Sequence, residues 1–269
     1  MTGQRNVLLL ACSQAVTLSA IVISMVLGAI VGADLAPDKG LATLPIAVMV
    51  VGTALATLPA AALMRRHGRR TGFAGGALLG IAGSLLAALA LHRGSFALFV
   101  AGHLLLGSFQ GVANYYRFAA VESTGPAHGS RAIAWVVAGG VVAALLGPQL
   151  AQWARDWVAG EVFVGSYLAQ GALAVVALGL LSQIRPTAQA AVAHGAARPL
   201  REIVAQPALR ASMVGAAAGY TVMIMAMTAT PLAMLGCGLA ANSVTPVVRK
   251  NAVLSVQLAR PKPYGTMSA

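Results

Sequence analysis

Residues 80–91 read GIAGSLLAALAL, and the uncharged run they belong to extends from Thr71 to Leu91. The run does not alternate apolar with polar residues, so it lacks the period of two that a ~10-residue barrel strand in lipid would keep. Leu, Ala, Ile and Gly on every side describe a helix with no face turned to water. Such a helix needs ~20 residues to cross ~30 Å of hydrocarbon, and this run is long enough.

Six further stretches contain no Asp, Glu, Lys or Arg: 6–33, 40–64, 94–116, 132–154, 162–184 and 211–248. Each has the length of a span, and a helix satisfies its backbone polar groups internally, as lipid demands. Composition points the same way. The chain is 58% apolar and 9% charged, against the ~25% charge of soluble domains, too little to cover a surface facing water. The expectation is an all-α polytopic membrane bundle of about seven transmembrane helices, near 6–33, 41–64, 71–92, 95–119, 132–154, 162–184 and 210–241. Arg5 precedes an uncharged run far longer than the ~7–15 residues of a signal-peptide core, so that run reads as the first span.

Cations set the orientation. With the N-terminus inside, the inner loops hold Arg5, Arg65, Arg66, Arg69, Arg70, Arg131, Arg185, Arg198, Arg201 and Arg210, while the outer loops hold Lys39, Arg93 and Arg155. That bias predicts a cytoplasmic N-terminus and a multi-pass protein of the inner (cytoplasmic) membrane. The net charge of +12 is then topology and attraction to anionic headgroups of the lipid bilayer. A nucleic-acid partner is excluded, because the cations are spread over several loops rather than gathered on one face.

Cys12 and Cys237 lie inside apolar stretches without metal spacing and read as buried small hydrophobes. No phosphate loop, nucleophile elbow or His/Glu cluster occurs, and His67, His92, His128 and His194 fall in loops or at helix ends. Neither a cofactor, a metal nor catalysis is expected; the chain does not read as an enzyme.

Residues 1–185 form a six-helix unit, followed by a polar cytoplasmic connection at 186–209 and the seventh span. Within the connection, RPLREIVAQPALR (198–210) places Leu200, Ile203 and Val204 on one helical face, compatible with an interfacial helix or an unstructured linker. Residues 242–269 form an atypical basic tail bearing Arg249, Lys250, Arg260 and Lys262.

Three segments resemble the major facilitator superfamily of secondary transporters. AALMRRHGRR (61–70) is similar to that family's G-x-L-A-D-R-x-G-R-R loop: Leu63, Arg66, Gly68, Arg69 and Arg70 match, whereas Ala61 and Arg65 replace the Gly and the Asp. AGGVVAALLGPQLA (138–151) looks like its glycine-rich fifth helix ending in Gly-Pro, here Gly147-Pro148. Gln110-Gly111 resembles the R-x-x-Q-G segment of its fourth helix, with Gly107 at the Arg position. The resemblance implies transport of a small solute, with a proton or another ion as coupling partner. It assigns gating to Arg66, Gly68, Arg69, Arg70, Gly147 and Pro148. A plain positive-inside loop and simple tight packing of Gly139, Ala143 and Gly147 account for the same residues structurally.

Substrate contacts are sought among membrane-buried polar residues, which are costly to place there. Gln110, Asn114 and Arg117 share one face of a continuous fourth helix at i, i+4 and i+7, and Gln14 sits mid-span on the first. Arg117 serves either a solute or headgroups and Glu122. His103 reads as a proton carrier or as a histidine satisfied by a carbonyl. Tyr220, Thr228, Thr230 and Pro231 suggest a broken seventh helix facing the same central cavity as Gln110, Asn114 and Arg117, and its methionines read as core filler. Against two six-helix halves in the family, these residues supply one half and a single further helix. The expectation is a truncated or frame-shifted copy, inactive without a second half or a homodimeric partner, with a genuine short tail as the alternative. A non-transporting seven-helix receptor or scaffold is the other reading, and the charge bias opposes it.

Overall fold

A computed structural model of the chain describes residues 2–125, 128–185 and 205–236. The elements are α1 (Thr2–Leu35), a 3₁₀ turn (Lys39–Leu41), α2 (Leu44–His67), α3 (Arg69–His92), α4 (Phe96–Ala113), α5 (Tyr116–Thr124), α6 (Gly129–Trp153), α7 (Val164–Ser182) and α8 (Pro207–Gly236). With α4 and α5 counted as one, seven helices are long and apolar enough to cross a membrane. No strand occurs among the described residues.

α1 is the axis of the bundle. It packs against α6 and α7 along its length and also meets α2, α4, α5 and α8. Ser13, Gln14, Thr17, Ser19 and Ser24 are buried on it beside Leu10, Ile21, Ile23 and Leu27. Lipid is as apolar as a leucine side chain, so helices associate in it by close packing and hydrogen bonding. The sequence supplies both. Gly139, Ala143 and Gly147 are buried on α6. A Cβ on Gly139 would stand 2.8 Å from the Ala11 carbonyl oxygen, and one on Gly147 2.7 Å from Val22. α4 approaches α2 closely enough for Thr53 Oγ1 to donate to the Gly107 carbonyl at 3.0 Å. Ser24 and Gln170 exchange hydrogen bonds of 2.8 and 3.0 Å between α1 and α7.

Two connections set the helix ends. Gly68 alone joins α2 to α3 at φ 86°, a backbone region open to glycine. Between α6 and α7, Phe163 holds φ 71°. It is fixed there by its N–H donating to the Arg155 carbonyl at 3.0 Å and by the Arg155 guanidinium 5.0 Å over its ring.

Several sequence expectations change. The fourth span is not one helix: α4 ends at Ala113 and α5 begins at Tyr116, with Tyr115 N–H bonding Val112 and Phe118 N–H bonding Tyr115 in 3₁₀ fashion, both at 3.1 Å. α8 starts at Pro207 and continues unbroken through Pro231, because neighbouring turns sustain a helix around a single lost bond. Cys12 is exposed rather than buried, since α1 turns one stripe of its arginine-rich end out of the bundle. Met223 and Met225 are also exposed, α8 lying at the bundle edge. The interfacial-helix segment up to residue 204, Cys237 and the tail at 242–269 lie outside the described residues.

Gly139→Val should destabilise the bundle by ~1–3 kcal/mol, because backbone rather than a flexible side chain must yield. Gly179→Ala, where nothing lies within 4 Å of the added carbon, should leave stability unchanged or raise it. Unfolding in mixed micelles compares them, and equal midpoints for the two variants would remove close approach as the organising contact.

Candidate functional site

The predicted polar residues occupy different environments. Gln14 is buried on α1 and Gln110 is half-buried on α4, whereas Asn114 and Arg117 are exposed. Asn114 caps α4 one turn beyond Gln110, its N–H donating to the Gln110 carbonyl at 3.1 Å, and Arg117 belongs to α5 beyond the 3₁₀ junction. No hydrogen bond joins Gln14 to any of the other three among the described residues.

A residue of the seventh span approaches Gln110. Tyr220 of α8, 38% exposed, lies near the Gln110 side chain without a hydrogen bond of ordinary geometry between them. Beside this pair, the junction between α4 and α5 is anchored to α2, with the Tyr115 hydroxyl donating to the Thr57 carbonyl at 2.9 Å. The next residue, Tyr116, turns the other way into the core, edge-on to Phe73 at 4.9 Å between ring centroids.

His103 is fully buried between Phe99 and Tyr167, its ring 4.4 and 6.0 Å from theirs. Its Nδ1 lies 2.9 Å from the Phe99 carbonyl, which assigns the proton to Nδ1 and the lone pair to Nε2. Among the described residues, Nε2 and the Tyr167 hydroxyl have no hydrogen-bond partner. The imidazole is therefore satisfied by a carbonyl on one side only.

The arginine turn divides into one engaged cation and several free-standing ones. Arg69 grips Glu122 of α5, with Nε 3.0 Å from Oε2 and Nη2 on Oε1. Arg66 and Arg70 are exposed around Gly68. Glu122 is thus the partner of Arg69 and not of Arg117. Five residues along a helix amount to about 140° of rotation, which carries Arg117 away from that carboxylate. Gly147 and Pro148, grouped with this loop in sequence, are buried mid-way along α6 against α1 and make no contact with the turn. At the opposite end of the bundle His92 pairs with Glu161. No group of His, Cys, Asp and Glu capable of holding a metal occurs among the described residues.

Sequence reasoning missed the Arg69–Glu122 pair and the Ser24–Gln170 bonds. The last joins residues 146 positions apart, and nothing in local spacing announces it. The available signal for the first was a lone acidic residue, Glu122, at the same end of the spans as the arginine turn.

A double-mutant cycle on Arg69→Ala and Glu122→Ala should give a coupling of up to ~1 kcal/mol in unfolding, reduced by salt because both side chains are partly solvated. Additive single effects would show that the two charges are merely adjacent.

Comparison with known proteins follows this geometry. The Major Facilitator Superfamily profile matches residues 9–255. The chain is 39% identical over 243 residues to the riboflavin transporter RfnT of Brucella anthropi, an alignment covering 88% of this chain and 60% of that protein. It is also 27% identical over 163 residues to YddS of Bacillus subtilis, an uncharacterised MFS-type transporter, covering 59% of this chain and 37% of that one. The chain therefore spans less than two thirds of the length of either relative. It is a multi-pass membrane protein, and it belongs to the major facilitator superfamily.

Proposed function

We propose that this chain provides the first six spans and the seventh span of a secondary transporter whose solute is riboflavin or a similar planar heteroaromatic compound. The observation that carries this reading is the likeness to a riboflavin transporter over most of the chain, together with Gln110 and Tyr220 standing near each other on the fourth and seventh spans. Transporter sites form near mid-membrane where one half of the molecule meets the other. An amide able to donate and accept, set beside an aromatic ring, suits a flat ligand with ring carbonyls and ring nitrogens. Identity with a riboflavin transporter supports the same choice of solute.

Alternating access requires a second half to rock against. In this reading it is completed by five further spans beside α8, or is a second copy, packed on the apolar faces that α2 and α6 leave open at Val51, Leu55, Leu58, Val141 and Leu145. Asn114 and Arg117 line the route between the halves, Gln14 contributes from α1, and Arg66, Gly68, Arg69 and Arg70 control the mouth at their end. The N-terminus lies in the cytoplasm and the protein in the inner membrane, as the arginine distribution favours. A proton or another ion supplies the driving gradient.

Riboflavin fluorescence should be quenched on addition of the purified chain. Gln110→Ala should weaken binding about five- to tenfold, the worth of one hydrogen bond to a polar ligand. Absence of quenching, or identical titrations for wild type and variant, rules this solute site out. With Cys12 and Cys237 changed to Ser, Asn114→Cys and Arg117→Cys should react with a membrane-impermeant thiol reagent while Leu145→Cys does not. Inert cysteines at both polar positions would place them in lipid instead.

A further inference from the structure

A second site lies at the arginine-rich end of the bundle, away from Gln110. A cavity of about 670 Å³ opens between the start of α1, the end of α5 and the start of α6. Its volume falls within the ~300–1,000 Å³ usual for small-ligand sites. Among the described residues, Arg131 and His128 line it and no carboxylate does, and its outer wall is formed by Trp135 and Leu8. These two apolar side chains are 52% and 57% exposed, so the mouth faces out of the bundle rather than into it.

Each feature has a chemical meaning. Arg131 makes no ion pair among the described residues, unlike Arg69, whose charge Glu122 neutralises. The Ser123 and Thr124 hydroxyls in the wall donate to carbonyls of their own helix at 2.8 and 3.2 Å, which leaves the Arg131 guanidinium and the His128 ring as the donors. Trp135 stands six residues into α6, about 9 Å along its axis. An indole near a helix end suits the level between headgroups and acyl chains. A guanidinium and a ring N–H above an indole and a leucine match a phosphodiester above the first methylenes of a lipid chain.

We propose that this cavity binds the headgroup phosphate of an anionic phospholipid. The guanidinium of Arg131 and the ring of His128 hold the phosphate, and an acyl chain runs down between Trp135 and Leu8. Selection against phosphatidylcholine follows from the lining: a choline cation meets Arg131 and finds no carboxylate to offset it. The surrounding end of the bundle carries Arg5 and Arg185, the latter's backbone bonded to Asn6, and this field concentrates anionic lipid at the mouth.

The chain has three tryptophans, and Trp153→Phe with Trp157→Phe leaves Trp135 as the sole reporter. The full chain carrying these two changes is placed in nanodiscs of phosphatidylcholine containing a trace of brominated phosphatidylglycerol or brominated phosphatidylcholine. Trp135 should be quenched with an apparent preference of about fivefold for phosphatidylglycerol, the typical effect of one surface arginine on anionic lipid. Arg131→Gln should bring the preference to parity, Arg131→Lys should retain it, and Arg65→Gln, an arginine at the same end but outside the cavity, should also retain it. Parity in the parent protein, a preference that survives Arg131→Gln, or loss with Arg131→Lys overturns the proposal. So does a fall in Arg65→Gln as large as in Arg131→Gln, which would mark diffuse surface attraction. Inorganic phosphate added at fixed ionic strength should leave the quenching unchanged; its loss would assign the cavity to a soluble phosphate and overturn the lipid reading.

Discussion

Two helices in hydrocarbon gain nothing from hiding leucines from each other, so the contact of α1 with α6 has to be made by near-touching backbones. Gly139, Ala143 and Gly147 permit it: with side chains no larger than a methyl, the α6 axis comes to rest on the Ala11 carbonyl and on Val22. The rest of the bundle inherits its geometry from this seam. α1, held on that side, presents its opposite surface to α7 and its flank to α4, and those helices bring in α3 and α2. Glycine on α3 serves α4 in the same way, where a Cβ on Gly76 would stand 2.6 Å from Val112.

Polar side chains add direction to what close packing alone would leave slippery. Ser24 with Gln170 fixes the height of α7 on α1, and Thr53 with the Gly107 carbonyl fixes α4 on α2. Hydrogen bonds between membrane helices contribute modestly, on the order of 1 kcal/mol each, so their value here lies in register more than in strength. His103 completes the set with one nitrogen bonded and one bare, a reminder that a crowded interior can leave an acceptor without a donor.

The spans were legible because lipid imposes a length and forbids charge, a rule written into every residue of 71–91 and its six counterparts. Gly68 was legible for a similar reason: one residue between two helices leaves only a left-handed solution. The interruption at Asn114–Tyr115 was not. It owes nothing to proline and coincides with Tyr115 reaching across to the Thr57 carbonyl, a tertiary contact that hydropathy does not record. Cys12, Met223 and Met225 misled for the opposite reason. In a membrane protein an apolar residue is at home on the outside, so hydrophobicity says that it avoids water and says nothing about whether it faces protein. Of the candidate site, the sequence marked Gln110 and Tyr220 as polar residues of two spans needing a reason, and their nearness across about one hundred residues comes from the fold.

The break in the fourth span has a mechanical consequence. α4 is fastened to α2 and α3, while α5 is fastened through Glu122 to Arg69, beside the Gly68 turn. The span is thus two levers on one pivot, with Tyr115 as the pin. The arginine turn, which joins α2 to α3, bears on both parts of the span: on α4 through helix packing and on α5 through the Arg69–Glu122 pair.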